Sequence, residues 1–592
     1  MSQQRHIIGR TILEIDSDRL DEMWSFQHDI SDLLQQKAIP AMEQLFDQLV
    51  GADEVVRLDQ VVVQLDPVDR HFLADDFVRK LLDALHCTLS DRLANPLPVV
   101  AQAESIRGDR TGANAELIRC DRTRADWEVL LYFLQYGRLP WWCLTDDWHS
   151  WISRWEAVMQ QGSHWQTPLR ELLMASPLSR QRLVAQFSEG FRHQVVLQLQ
   201  PTWLHWSTLL AQARQLIQAL QLSGRTSQHL QTQAWLLLLS ELGQNSSSSR
   251  PLPTIRWMSA WLTLLLQIVA VEGLPASRPV IRSQDLEGSP QSTINQELDV
   301  TQQPDARLRT RIQGDAIAHS RLRSLIKSIA LAEKSLWLTA LDQLMPRSVK
   351  TFPHSAPPQH SLPDASEGHR EQTGSAGESD VTTRENGERV RTLAQLRQST
   401  APTQTGNTSA RTGDSDSCLS PEEDAAGVFV NQAGLVILHP YLQLYFEDVG
   451  LLEGEVFRDR ASQQTAIYLL HYLATRQTDA PEYELVLPKL LCGWSLNEPV
   501  TREQALPDTA LTEAEHLLQA VIDYWQVLKS TSPDGLREGF LQRDGKLTQL
   551  YEGDWKLQVE QKAIDVLLSR LPWGFNVVKL PWMESLLMVE WS

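Results

Sequence analysis

The run Gly539-Phe-Leu-Gln-Arg-Asp-Gly545-Lys546-Leu547 holds glycines and a lysine in the order of a phosphate-binding loop, where backbone N–H groups and the lysine cradle phosphates. It has one residue too many between the glycines, and Leu547 stands where Mg²⁺ would need a hydroxyl. It reads instead as a Gly-containing turn before a strand. No Gly-x-Ser-x-Gly elbow and no His-Glu-x-x-His zinc helix occurs. The 16 His residues are scattered, and His439 and His471 lie in apolar surroundings that suit core or helix-end histidines better than ligands. Cys87, Cys120, Cys143, Cys418 and Cys492 are far apart and never in a Cys-x-x-Cys pair, which excludes a disulfide framework or a cysteine zinc site and suggests a reducing compartment. Acidic pairs abound, but no spacing singles out a general acid and its base. Asn245-Ser-Ser247 and Asn407-Thr-Ser409 match a glycosylation pattern that has no meaning without secretion. These residues point to no catalytic, cofactor or metal site, and a non-enzymatic interaction protein is the expectation.

A chain of 592 residues can bury more than one core. Its net charge of −20 is uneven. Residues 1–126 carry 14 basic against 23 acidic side chains, 127–345 carry 19 against 16, 346–425 carry 8 against 12, and 426–592 carry 13 against 23. Two acidic ends around a near-neutral middle with dispersed arginines argue against a nucleic-acid binder, which concentrates basic charge on one face. The apolar run Met258–Val271 is too short to cross a bilayer and reads as a buried helix, so no stable membrane insertion is expected. The first residues lack the apolar core of a signal peptide, and the expected compartment is the cytoplasm.

Along the chain, Ile7–Ile15 reads as a short strand. The apolar spacing of Met23, Phe26, Ile30, Leu33, Met42, Leu45 and Leu49 describes a helix that Pro40 should kink or split. Val55–Leu65 alternates like a strand and Asp75–Leu93 returns to helical spacing, so residues 1–126 form a small β-α-β-α region. Residues 127–275 form a Trp-rich helical region, in which Trp203, Trp206, Leu209, Leu210, Ala213, Leu216, Ile217 and Leu220 share one helix face. Seven indoles fall between Trp127 and Trp165. A base- or sugar-stacking surface uses aromatics this way, but core packing is the commoner use. Residues 276–345 are partly disordered by composition, with one amphipathic helix through Leu322, Leu325, Ile326, Ile329, Leu336 and Leu341. Residues 346–427 have the composition of a long disordered linker. Residues 428–592 form a C-terminal α+β domain with helices over Thr465–Leu473, Thr512–Leu528 and Ala563–Leu571, and strands over Trp555–Val559, Val577–Leu580 and Leu586–Trp591. The fold class is mainly α and multidomain, with small α/β regions at both ends.

Several ordered blocks resemble the tape measure family of extracellular contractile injection systems, the phage-tail-like particles of the antifeeding-prophage type. They are His6–Glu14, Asp53–Asp59, and Leu131–Trp142 with its Leu139-Pro140-Trp141-Trp142 ending. In the C-terminal region they are Asn431–Pro440 (carrying Asn431, Gly434, His439 and Pro440), Tyr483–Gly493 (Lys489, Leu490, Leu491 and Gly493), Leu528–Ser532 and Leu536–Lys546. The last are Leu571-Pro572-Trp573-Gly574, Lys579–Trp582 with Pro581 and Trp582, and Glu590-Trp591. The middle of the chain carries no such block. The resemblance implies a protein that acts in tail assembly and sets how far the inner tube polymerises, against inner-tube or baseplate proteins and in reach of the tube lumen. It implies structural or partner-binding roles for the block residues and no cofactor. A fully helical chain of this length would reach about 890 Å at ~1.5 Å per residue. The 29 Pro and 20 Trp argue instead for separately folded ends joined flexibly. A cytosolic assembly chaperone or adaptor, and a cell-wall hydrolase in the Trp-rich middle, stay open as alternatives.

Overall fold

A computed structural model describes, short gaps aside, residues 4–15, 29–68, 73–94, 117–143, 147–244, 254–272, 318–344, 427–502 and 505–591. The linker expected over 346–427 lies almost wholly outside the described residues, as do the stretch expected to be disordered before the 318–328 helix and Met23 and Phe26.

Near the N-terminus the helical run continues through Pro40. A π turn, Leu34–Ala38, immediately precedes helix α1 (Ile39–Leu49), with the Ile39 amide bonded to the Leu34 carbonyl. Proline gives no N–H to the carbonyl four residues back and its ring presses on it, so one wider turn absorbs the defect without a break. Strand β1 (Glu54–Leu58) pairs antiparallel with β2 (Leu117–Asp121), Glu54 opposite Asp121 and Leu58 opposite Leu117, and helix α2 (Leu73–Ala94) lies between them in sequence. Ile7–Ile15 is therefore not a strand, and the order from α1 to β2 is α-β-α-β. The segment is tied down by other means: Gln4 donates to the Val50 carbonyl (3.1 Å), His6 pairs with Asp47 (2.9 Å), and Gly9 faces the Trp141 ring. Beyond Leu58 the described residues of the alternating run, 60–65, lie outside the ladder.

Asp121 ends β2 and caps α3 (Arg122–Tyr136) by accepting from the Arg124 amide, so the N-terminal region feeds directly into the helical one. Helices α4 (Trp148–Gln160), α6 (Pro177–Gln186) and α7 (Glu189–Leu199) likewise start on the capping side chains of Asp147, Ser176 and Ser188. With α5 (Gln166–Ala175), α8 (Trp206–Leu220), α9 (Gly224–Gln244) and α10 (Thr254–Glu272) they enclose a core in which Trp151, Trp155, Trp165, Trp257, Trp261 and Trp337 are fully buried. The indoles thus fill volume rather than line a surface. All eight residues of the face expected on and just before α8 are buried. The amphipathic stretch through Leu322 is two helices rather than one, α11 (318–328) and α12 (Lys334–Gln343). It joins this core, with the Trp337 indole N–H donating to Gln212 (2.5 Å).

In the C-terminal region, β3 (Val428–Val430) runs into a 3₁₀ turn (Ala433–Leu438) and α13 (His439–Asp448), then a small hairpin of β4 (Leu452–Glu453) and β5 (Val456–Phe457). Helix α14 (Arg460–Thr475) is buried almost all round and forms the centre of a second core. Around it lie α15 (Val486–Leu491), α16 (Asp508–Tyr524), and α17 (Pro533–Leu536) with its following π turn Arg537–Leu541. A five-stranded sheet in the order β3-β6-β7-β9-β8 closes the far side. Its other strands are β6 (Gly545–Gln549), β7 (Trp555–Val559), β8 (Val577–Val578) and β9 (Leu587–Glu590). Only the β7–β9 pairing is parallel. Leu547, Leu557, Leu587 and Val589 point inward while Gln558, Met588 and Glu590 face out, the period of two that a half-buried sheet imposes. The helix expected over Ala563–Leu571 is present as a 3₁₀ helix, Ala563–Arg570, and the strand expected over Val577–Leu580 pairs only at its first two residues.

The regions on either side of Pro346–Asp416 belong to one compact unit, in which the two hydrophobic cores adjoin across the buried Arg182–Glu482 ion pair.

Candidate functional site

The glycine-rich run from Gly539 does not open onto a cradle. Its first half is the π turn, and Gly545 packs against Ala433 at the start of β6, where an added Cβ would sit 2.7 Å from the alanine side chain. Among the described residues no group of His, Cys, Asp and Glu could hold a metal ion. The concavity lined by Asp147, His149, Ser150, Ser153 and Arg154 is shallow, and Asp147 and Ser150 serve there as the cap of α4. Chemistry concentrates instead where the two cores meet.

There Arg182 of α6 and Glu482 are both fully buried and form a two-point ion pair, Nε to Oε2 at 2.9 Å and Nη2 to Oε1 at 3.2 Å. The remaining Arg182 donors go to the carbonyls of Leu134 (2.6 Å), Gln135 (3.0 Å) and Asn497 (2.6 Å). Lys489, on α15, reaches Glu482 from the other side at 2.5 Å and donates also to the carbonyls of Glu498 (2.9 Å) and Leu496 (3.2 Å). Burial pulls the Lys489 ammonium down to about 8; Glu482 works against that fall and Arg182 adds to it. Gln186 accepts from the Glu482 backbone amide (3.0 Å) and donates to the Val500 carbonyl (2.7 Å), and Arg138 donates to the Asn497 side chain (3.2 Å). Gly137 ends α3 in the left-handed conformation (φ 75°) directly against this cluster. A Cβ there would run into the Glu482 carboxylate and come within 2.9 Å of Arg182 Nε.

The block residues fall into three groups. Leu139-Pro140-Trp141-Trp142 follows Arg138 and clasps the N-terminal region. Trp141 covers Gly9, Trp142 lies under Arg57 (4.2 Å), and Arg57 also ion-pairs with Glu128. A second group is internal to the C-terminal core. Leu490 and Leu491 are buried beside Lys489, Gly493 lies against the Trp582 backbone carbonyl, and Trp582 donates to the Leu491 carbonyl (2.8 Å), with Pro581 exposed beside it. Gly434 presses so closely on the π turn that a Cβ would land on the Phe540 carbonyl oxygen.

The third group reaches the surface. Trp573 donates to the Ile437 carbonyl (2.9 Å), stacks on Tyr524 (5.8 Å, 15°) and meets Tyr441 edge-on (5.1 Å). Tyr524 is 61% exposed and Leu444, one turn beyond Tyr441 on α13, is 60% exposed. Pro440, Pro572 and Gly574 are exposed around this aromatic shelf, and Asn431 is exposed at the end of β3. Exposed Glu447 and Asp448 follow Leu444, and exposed Asp523 precedes Tyr524. His439 bonds the Val436 carbonyl (2.9 Å) beneath the shelf, and burial lowers its pKa. Leu571 packs inward against the C-terminal core.

A family model described as contractile injection system tape measure protein matches residues 5–591, including the helical middle that carried no recognisable block. The chain belongs to that family. No curated protein and no solved structure matches it. Membership assigns a structural, assembly role in a contractile injection system, associated with its tube and baseplate components. Among the described residues no helix is long and apolar enough to cross a membrane.

Sequence reasoning missed Arg182, Glu482, Gln186, Arg138 and Asn497. One local signal existed: Lys489 is the charge inside the otherwise apolar run Leu485–Cys492, with Glu482 and Glu484 just before it. The partners of Glu482, about three hundred positions earlier, left no mark that spacing reveals.

Proposed function

We propose that this tape measure family member sets inner-tube length during particle assembly while folded as a compact body, made in the cytoplasm of the producing cell. It holds tube or baseplate proteins through the aromatic shelf of Tyr441, Tyr524 and Trp573. The observation that carries this reading is the family match across 5–591. The exposed prolines and glycine of the blocks support it, since Pro440, Pro572 and Gly574 cannot owe their place to core packing. The shelf suits a partner offering an apolar anchor flanked by basic side chains, given its acidic surroundings. The ruler is not one continuous helix among the described residues, where α2, with 22 residues, spans about 33 Å.

Deleting residues 353–425 is expected to shorten or misassemble the tubes; unchanged tube lengths by electron microscopy would remove the ruler role from that segment. The pair Tyr524→Ala and Trp573→Ala is expected to abolish binding to purified tube and baseplate proteins, and undiminished binding would exclude the shelf.

A further inference from the structure

The two hydrophobic cores are each closed. The helical one draws on residues 127–341, the C-terminal one on 428–591, and among the described residues Tyr483 is the C-terminal hydrophobic that packs into the helical core. It meets Phe133 (6.2 Å) and Trp148 (6.3 Å). The rest of the junction is polar. The Arg182–Glu482 pair, the two hydrogen bonds of Gln186, the Arg138–Asn497 contact and the Arg502 amide on the Ala185 carbonyl (3.1 Å) cross it. The Arg502 guanidinium caps the Trp148 ring at 4.7 Å.

Such a joint differs from a continuous core in what separation exposes. Parting two apolar faces wets surface that water cannot satisfy. Parting carboxylate, guanidinium, ammonium and carbonyl groups returns each to water, which recovers the desolvation that burial had cost. A buried ion pair adds little net stability over apolar packing of the same shape, yet it admits one alignment only. Gly137 enforces that alignment, because no side chain fits between the end of α3 and Glu482.

We infer that the junction is a separable joint: the helical and C-terminal cores part along the Arg182–Glu482–Lys489 contact while both stay folded. The chain thereby passes between a compact and a longer form. The connecting segment Pro346–Asp416, about 70 residues, has a contour of at most roughly 240 Å, ample to keep the parted cores joined. The inference goes beyond the assembly role and is read on the isolated full-length chain, so it stands or falls independently of tube length.

The test is native-state hydrogen exchange of the full chain at rising, sub-denaturing urea, resolved by peptide. Peptides over 479–485 and 495–502, which hold the Glu482 and Arg502 amides bonded across the junction to Gln186 and Ala185, are expected to exchange through an opening that precedes that of α9 and α14, the centres of the two cores. Glu482→Gln, which keeps the shape and removes the charge, is expected to raise the population of this opening roughly tenfold or more. The apolar combination Arg182→Met, Glu482→Leu and Lys489→Met is expected to merge junction exchange with that of the cores, and it keeps the inference testable if Glu482→Gln does not fold. Junction peptides of the unaltered protein that exchange only together with α9 and α14 overturn the joint.

Discussion

The helical core and the C-terminal core are of similar extent but are specified by different means. The first is filled by bulk: fully buried indoles pack in groups, Trp151 stacked on Trp155 within α4 (5.4 Å, 26°), and Trp257 stacked on Trp261 (6.5 Å, 5°) with both edge-on to Trp337. Its deepest charge, Arg182, points out of it toward the junction. The second is filled by constraint. Buried Arg537 ties the Leu473 carbonyl (3.1 Å) to Glu515 and Asp534, and buried Arg543 ties the carbonyls of Gly539 and Glu560 to Asp565. A core made of volume accepts many side chains of about the right size, whereas one made of directed bonds and close backbone approaches accepts few.

The sharpest way to break that contrast is Gly434→Ala. One methyl group added against the Phe540 carbonyl has no flexible neighbour to displace, so the 3₁₀ turn and the π turn must part. The expected loss exceeds about 4 kcal/mol, measured by urea denaturation as collapse of the C-terminal transition. In the helical core Leu216, fully buried on α8, gives a graded answer instead. Leu216→Ala is expected to cost about 2–5 kcal/mol through its cavity, and Leu216→Met less than about 1.5 kcal/mol because the volume is kept. If Leu216→Met proved as damaging as Gly434→Ala, the helical core would be as tightly specified as its neighbour.

A third expected effect concerns charge. His471, fully buried on α14, receives a hydrogen bond at Nδ1 from Gln432 (2.8 Å), and its Nε2 lies 3.9 Å from Glu484. Burial drives its pKa down to about 4, with Asp479 opposing. The unfolded chain takes up a proton near pH 6.5 while the folded one does not, so this contribution is intact above about pH 6.5 and is lost as pH falls toward 4. The loss amounts to at most about 3 kcal/mol. Glu484, whose pKa burial raises, works in the opposite direction, so the comparison to make is between the protein and His471→Gln across pH 4 to 7. The difference in stability is expected to narrow toward acid, and a difference that stays constant would show that His471 does not titrate on unfolding.

The same contrast explains what the sequence revealed. Strand β7 was readable residue for residue, and the face of α8 in full, because each advertises its period within a dozen residues. The blocks that resembled the tape measure family coincide with directional constraint: Gly434 under Phe540, Gly493 under Trp582, Lys489 on Glu482. In the helical core the block Leu131–Trp142 on and after α3 is the one stretch that carried the resemblance, and the helices from α4 onward, held by apolar volume, offered none although the family match covers them. Failures have the opposite cause. Ile7–Ile15 has strand composition, but a strand needs a partner, and the partner of β1 lies beyond α2 at Leu117–Asp121. The turn that splits α11 from α12 and the Arg182–Glu482 pair are likewise set by tertiary contacts that local pattern does not carry.

The smallest expected effect on stability tests the comparison where the C-terminal core meets solvent. Trp573→Phe keeps an aromatic ring between Tyr441 and Tyr524 but removes the indole N–H from the Ile437 carbonyl. The carbonyl lies at a part-buried site that water can reach once the larger ring is gone, so the cost is one neutral hydrogen bond, about 1 kcal/mol. Inside the core, directed bonds hold the fold, and losing one costs stability; on the shelf, the same bond fixes the tilt of an exposed ring, and losing it costs recognition. Trp573→Phe is therefore expected to shift the urea midpoint slightly while weakening binding to purified tube and baseplate proteins by a larger factor than that shift implies, measured by titration calorimetry. Equal losses in stability and binding would make Trp573 one more packing residue of the C-terminal core.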